Sequence, residues 1–299
     1  MNDQAKILRQ MVKNNYKKDN SFSKDVDTMQ KINMNIITVA SGKGGVGKSN
    51  FSVNLGLAMQ DLQKRCLLLD ADFGLANIEI ILGERPKNNI SSLIHGNSEL
   101  KDVISLSKYG IPFISGGSGI KDMNFLSGEQ IDSIENKLID LSRYTDNLII
   151  DTGAGINDVV VKFCKLANYI YIVVTPEPTS ITDGYALIKT LVSQFNINIP
   201  IKIIINKAAN QTEAKEVFEK LYFVAKEFLQ SNIGYGGYIP YDDNLFKSAK
   251  EQIPILKYNN KSKSSRAYCE IAKNISEIDY TRDEVKGTWI DKFKRIFTN

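Results

Sequence analysis

Three cysteines, one histidine and one tryptophan occur in 299 residues. Cys66, Cys164 and Cys269 lie far apart in the chain, so neither a disulfide framework nor a Cys-based metal site is indicated. His95 alone cannot build the histidine cluster that zinc takes. Seven prolines and 20 glycines exclude a collagen-like or linker-dominated chain. No apolar run approaches the ~18 residues of a membrane-spanning helix, and MNDQAKILRQ lacks the apolar core of a secretory signal. The expected compartment is a reducing cytoplasm. What is present is 42% hydrophobic and 24% charged, an ordinary globular balance. The length allows one large α/β domain or two smaller ones.

The net charge of +4 is unevenly spread. Residues 1–34 carry seven Lys or Arg against four Asp or Glu, and residues 282–299 carry five against three. The intervening body is near neutral, which argues against a general affinity for nucleic acid.

From residue 35 onward, short apolar runs alternate with segments of helical period. The runs fall at 36–40, 66–69, 111–114, 148–150, 169–174 and 201–205, with a weaker one at 235–239. They are continuous rather than alternating, as strands buried on both faces should be. Helix patterns follow at 51–59, 130–141, 157–165, 182–195 and 212–229. The order predicts an α/β fold: a doubly wound, mostly parallel sheet with helices on both faces.

Gly42-Lys43-Gly44-Gly45-Val46-Gly47-Lys48-Ser49 matches G-x-x-x-x-G-K-[ST] between a predicted strand and a predicted helix, the context that a P-loop requires. Its glycines let successive N–H groups turn inward around phosphates at the positive end of a helix. Lys48 then reaches the β- and γ-phosphates of ATP, and the Ser49 hydroxyl takes Mg²⁺.

The second lysine, Lys43, makes the loop resemble the deviant Walker A motif of the MinD/ParA family of ATPases. The resemblance covers about residues 35–278 and implies an ATP-sandwich homodimer in which Lys43 acts on the partner's phosphates. Asp70-Ala71-Asp72-Phe73-Gly74-Leu75-Ala76-Asn77 resembles that family's switch I, which implies that Asp72 places the attacking water. Helix capping is the plain alternative for Asp72. The run from Leu148 through Asp151 to Gly155 resembles Walker B with switch II. Asp151 would hold Mg²⁺ through water, as Asp72 would, and the Gly155 N–H would meet the γ-phosphate. A sugar-hydrolysing pair is another reading of Asp72 and Asp151, which the P-loop argues against. By the same resemblance Asn206 reads the adenine edge, Pro240-Tyr241-Asp242 closes over the base, and Glu177 reaches the partner's ribose.

Asn50 after the P-loop, and the stretch from Thr175 to Ala186, are similar to the flagellar branch of the family, the FlhG (YlxH, FleN) ATPases that set flagellar number. Asp3-Gln4-Ala5-Lys6-Ile7-Leu8-Arg9 matches that branch's D-Q-A-x-x-L-R motif. The match implies that Asp3, Gln4, Ala5, Leu8 and Arg9 dock on the signal-recognition-type GTPase FlhF, with Gln4 stimulating its hydrolysis. At the other end, Val285, Trp289, Phe293, Ile296 and Phe297 share one face of a basic amphipathic segment, which reads as an interfacial anchor for an anionic membrane. The expected organisation is thus an activator segment with linker over 1–34, an ATPase domain over 35–278 and a membrane-targeting helix over 279–299. The expected place is the cytoplasm, with reversible attachment to the inner face of the cell membrane. Flagellar switch (C-ring) proteins are further expected partners, and specific nucleic acid is not. A MinD-type regulator of the division site explains the ATPase and the anchor but not D-Q-A-x-x-L-R. A ParA-type segregation ATPase needs a basic face that no local cluster in the body supplies.

Overall fold

The computed structural model is described here for residues 34–277, except 73–74, 76, 95–96, 118–140 and 142–144. The Asp3–Arg9 motif, the linker, the C-terminal amphipathic segment and all but the last residue of the helix expected over 130–141 lie outside the described residues.

Eight strands form one sheet in the order β3-β4-β2-β5-β1-β6-β7-β8. They are β1 (Asn35–Ser41), β2 (Cys66–Ala71), β3 (Ile104–Leu106), β4 (Pro112–Ile114), β5 (Asn147–Ala154), β6 (Tyr169–Val174), β7 (Ile201–Ala208) and β8 (Gly234–Pro240). All neighbours pair in parallel except β3, which runs antiparallel to β4 at the edge. The expected doubly wound sheet is therefore the observed one. β3 is an addition to it: three residues, none of them buried, carry no readable apolar run.

The described helices are α1 (Lys48–Asp61), α2 (Asn77–Leu82), α3 (Ile90–Ile94), α4 (Leu100–Val103), α5 (Asp158–Leu166), α6 (Pro178–Lys189), α7 (Gln211–Leu229), α8 (Asp243–Lys250), α9 (Ile255–Tyr258) and α10 (Lys263–Glu277). Alternate residues of each central strand enter opposite cores, because successive strand side chains point to opposite faces. Ile36, Leu67, Leu148, Ile170 and Ile203 pack with α5, α6 and α7. Ile37, Leu68, Ile149, Tyr171 and Ile204 pack with α1, α2, α9 and α10.

α1 is covered almost all round, since the sheet lies on one side of it and α10 on the other. Phe51 fills that sandwich, with ring centroids 6.1 Å from Tyr171 and 6.2 Å from Tyr268. Gly56 permits the close approach: a Cβ there would sit 2.7 Å from Ile111 Cδ1 and 2.8 Å from Leu68 Cδ2.

The helix expected over 182–195 begins four residues earlier. Pro178 fits the first helical position, where a missing N–H costs nothing. Its end unwinds into a π turn, Thr190–Gln194.

Candidate nucleotide-binding site

The strand order makes β1 the place where the winding reverses, with β5 and β2 on one side and β6 and β7 on the other. Ligands of open α/β sheets lie at such a point, beyond the carboxyl ends of the strands. The loop from Gly42 to Gly47 leaves β1 there and runs straight into α1.

Gly45 (φ 76°) and Gly47 (φ 95°) take left-handed conformations that a side chain would strain. At Gly42 the reason for glycine is space, because its missing Cβ lets the Asp183 carbonyl of α6 pack directly against the loop. Gly44 is exposed, Val46 is buried, and Ser49 and Asn50 are half-buried at the start of α1.

Lys48 is 6% exposed and its Nζ lies 3.2 Å from Asp151 Oδ1, inside the protein. Ser52, one helical turn after Lys48, donates its hydroxyl to the same oxygen at 2.9 Å. Asp151 Oδ2 is buried without a hydrogen-bond partner among the described residues. A buried carboxylate oxygen without a partner is costly, so Asp151 Oδ2 is an acceptor left open beneath the P-loop.

Asp70 stands opposite Asp151 in the β2–β5 ladder and is fully buried. Its two oxygens accept from the N–H of Asp72 (3.1 Å) and of Ile78 (3.0 Å), tying both ends of the switch I stretch to β2. Burial, and then the Asp151 carboxylate, push Asp70 up to about 7 against the opposing pull of those two bonds. Asp72 is half-buried and accepts from Asn77 Nδ2 at 3.0 Å. Burial raises its carboxyl, and the Lys48 charge works in the opposite direction. Asp72 is also close to switch II, since a Cβ on Gly153 would lie 3.3 Å from Asp72 Oδ1. Lys48, Asp72, Asp151 and Ser52 thus converge at the carboxyl edge of β2, β5 and β1.

Lys43 turns the other way. Its Nζ donates to Glu177 Oε2 at 3.0 Å and to Thr179 Oγ1 at 2.9 Å, both in the same chain. The hydrogen bond from Lys43, followed by its charge, lowers the Glu177 carboxyl. Gly155 (φ 83°) donates its N–H to the Ser41 carbonyl at 2.9 Å. A γ-phosphate contact at this N–H requires that bond to open.

On the β7 side of the loop, where the base is expected, Asn206 is buried near the end of the strand. Its Nδ2 donates to the Val46 carbonyl at 2.6 Å, and its Oδ1 accepts from the Lys207 N–H at 2.9 Å. Lys207 Nζ donates to the Gly45 carbonyl at 3.0 Å. Pro240 ends β8, and Tyr241 stands exposed with its N–H on the Ala208 carbonyl. The Asp242 carboxylate is engaged within the protein: it accepts from Asn244 N–H, and from both the N–H and the hydroxyl of Ser264 at the start of α10. Burial opposes these bonds, but together they hold Asp242 at about 2. Asp242 therefore pins the loop to α10, and Tyr241 is the exposed member.

Four residues of this site receive no role from the sequence motifs, although Asp70 opens the switch I run: Ser52, Asp70, Thr179 and Lys207. Ser52 is accessible in principle, lying four residues after Lys48 on the same helix face. Thr179 and Lys207 sit in stretches that the sequence singles out, but no local pattern gives either of them a partner.

A family model described as ParA, NUBPL iron-transfer P-loop NTPase, matches residues 32–276. The antiactivator FleN of Pseudomonas aeruginosa is 40% identical over 240 residues, covering 80% of this chain and 85% of FleN. The chain belongs to the FleN/YlxH branch of the ParA/MinD family of P-loop NTPases. The flagellum site-determining protein YlxH of Helicobacter pylori is 34% identical over 254 residues, 84% of this chain and 83% of YlxH. Among solved structures, the MinC:MinD cell division protein complex of Aquifex aeolicus superposes with a TM-score of 0.65 at 25% identity, covering 85% of this chain and 99% of that one. The iron transfer in the family model's description has no counterpart in cysteine placement here. Cys66 and Cys164 are buried in β2 and α5, where burial pushes both thiols up to about 12, and Cys269 lies on α10. Among the described residues no three His, Cys, Asp or Glu side chains group as a metal site, and no helix is long and apolar enough to cross a membrane.

Proposed function

We propose that the chain is a Mg²⁺-dependent ATPase that switches between monomer and ATP-bound homodimer and regulates flagellar number or placement. The observation that carries this reading is the Lys48–Asp151–Ser52 cluster under the P-loop, in a chain 40% identical to FleN.

The residues fit a hydrated divalent cation. Asp151 Oδ2 is an oxygen without a partner among the described residues, and Ser49 is a hydroxyl at the mouth of α1. So few protein ligands suit Mg²⁺, which keeps several waters and takes phosphate oxygens. When bound it neutralises charge on the transferring phosphoryl group. Ser49 would hold it directly, and Asp151 and Asp72 through water.

Lys48 has two anions to serve. Without nucleotide it neutralises buried Asp151; phosphates at the loop compete for it, and Ser52 continues to hold the carboxylate. Asp72 hydrogen-bonds and orients the attacking water, its backbone fixed by Asp70. Lys43 reaches the partner's phosphates only after leaving Glu177 and Thr179. Exposed ion pairs contribute little to stability, so that release is cheap against a phosphate contact shielded in a dimer. Glu177, once released, is free to meet the partner's ribose, and Asn206 and Tyr241 flank the adenine. The segments over 1–34 and 279–299 supply FlhF stimulation and membrane attachment in this reading, with switch proteins as further partners.

The test is deletion of the gene in its own host, with flagella counted per cell by electron microscopy. The wild-type gene restores the normal count and a Lys48→Ala gene does not. A deletion that leaves flagellar number and position unchanged overturns the flagellar reading.

A further inference from the structure

Lys207 breaks the β7–β8 ladder. Asn206 pairs with Ile239 and Ala208 with Pro240, so Lys207 is the extra residue of a bulge. Its φ is 60°, a left-handed conformation that is strained for a residue with a side chain. Bulges of this kind re-aim a side chain, and strain persists where the surroundings over-determine it. Here the re-aimed group is the ammonium, which reaches the Gly45 carbonyl, 162 residues away in sequence, at 3.0 Å.

Asn206 holds the next carbonyl, that of Val46, at 2.6 Å. Two consecutive β7 side chains therefore hold two consecutive P-loop carbonyls. A trans peptide unit is planar, with its C=O and N–H pointing in opposite directions. Drawing the Gly45 and Val46 carbonyls towards β7 turns the Val46 and Gly47 N–H groups away from it, into the hollow of the loop. The left-handed φ values of Gly45 and Gly47 alternate with ordinary residues, the pattern that makes successive N–H groups converge on an anion.

We propose that Lys207 is a positioning residue of the phosphate site: its ammonium holds the Gly45 carbonyl so that the Val46 N–H faces the phosphate chain of a nucleotide. It touches neither substrate nor reacting atoms in this role. The inference rests on the nucleotide-binding reading above. Because the loop is set before the ligand arrives, ground state and transition state benefit equally, so losing the contact raises KM and leaves kcat unchanged.

The experiment uses the full chain, N-methylanthraniloyl-ADP titrated by fluorescence, and Mg·ATP hydrolysis. Three variants separate the amine from the backbone. Lys207→Ala removes the amine and keeps the strain; Lys207→Gly removes the amine and relieves the strain; Lys207→Arg keeps a cationic donor. Loss of one charge-assisted hydrogen bond predicts affinity about tenfold weaker for both Ala and Gly, and within about threefold of wild type for Arg. Lys207→Gly should melt no lower than wild type, so weaker binding by that variant is not a folding defect. Wild-type affinity in Lys207→Gly overturns the proposal, as does failure of Lys207→Arg to restore binding, or a fall in kcat with KM unchanged. If the wild-type protein itself does not bind the probe, the nucleotide reading fails and takes this inference with it.

Discussion

Replacing Lys48 with Met should unfold the protein more easily before any nucleotide is considered. The side chain is 7% exposed and faces a carboxylate that is 0% exposed. Removing one partner of a buried pair strands the other charge, which costs ~3–5 kcal/mol. One feature softens that cost here: Ser52 still donates to Asp151 Oδ1 at 2.9 Å. A net loss of ~2–3 kcal/mol follows after one hydrogen bond to a charged group is allowed for. For a domain of this size that corresponds to a melting temperature lower by ~5–10 °C. The double variant Lys48→Met/Asp151→Asn removes the stranded charge while an amide oxygen still accepts from Ser52. It should recover to within ~1 kcal/mol of wild type, since similar-shaped neutral replacements of a buried pair are close to neutral. Both variants should lose ATP hydrolysis. Calorimetry without nucleotide, alongside phosphate release with Mg·ATP, separates the two roles. A single variant that melts with wild type, or a double variant no better than the single, refutes the idea that Lys48 neutralises Asp151 in the empty site.

Lys43→Ala should leave monomer binding of nucleotide within about twofold, because an exposed pair contributes little, and should abolish the ATP-dependent dimer; light scattering that still shows a dimer with ATP rules out action across the interface. The depressed Asp242 carboxyl gives a signed pH dependence: ionised and bonded to Ser264, it stabilises the fold above about pH 4, and that contribution fades as pH falls toward about 2. Against Asp242→Asn, the wild-type advantage in urea should be about 1 kcal/mol at pH 5 after solvent screening and should narrow at pH 3; an advantage independent of pH excludes the linkage. Deleting residues 283–299 should end ATP-dependent sedimentation with anionic liposomes, and unchanged sedimentation sinks the anchor. A peptide of residues 1–20 should accelerate GTP hydrolysis by FlhF, with Gln4→Ala removing the effect; an inert wild-type peptide would instead favour a division-site regulator.

The central strands β1, β2, β5, β6 and β7 are readable because burial on both sheet faces writes an unbroken apolar run into each of them. The run at 169–174 is β6 without a shift, and 201–205 extends into β7 by three residues, Asn206, Lys207 and Ala208. Those added residues are polar or small, so periodicity stops where the site begins. The start of α6 escapes the apolar period because Pro178 and Thr179 carry none, although proline at a first helical position is itself a start signal. Lys43, Lys48, Asp72, Asp151 and Asn206 are legible as letters in motifs. What each one touches is not in the letters.

The sequence by itself determined the P-loop, the buried parallel strands and the family, because glycine conformation, strand burial and helix starts are encoded by neighbours a few residues apart. Only the tertiary structure decided that Lys48 shares Asp151 with Ser52, that Lys43 rests on Glu177 and Thr179, and that Lys207 holds Gly45. Those partners stand 99 to 162 residues apart. They meet because β5 inserts between β1 and β2, and β7 lies beyond β6, an order set by how the whole sheet buries its two faces rather than by any local pattern.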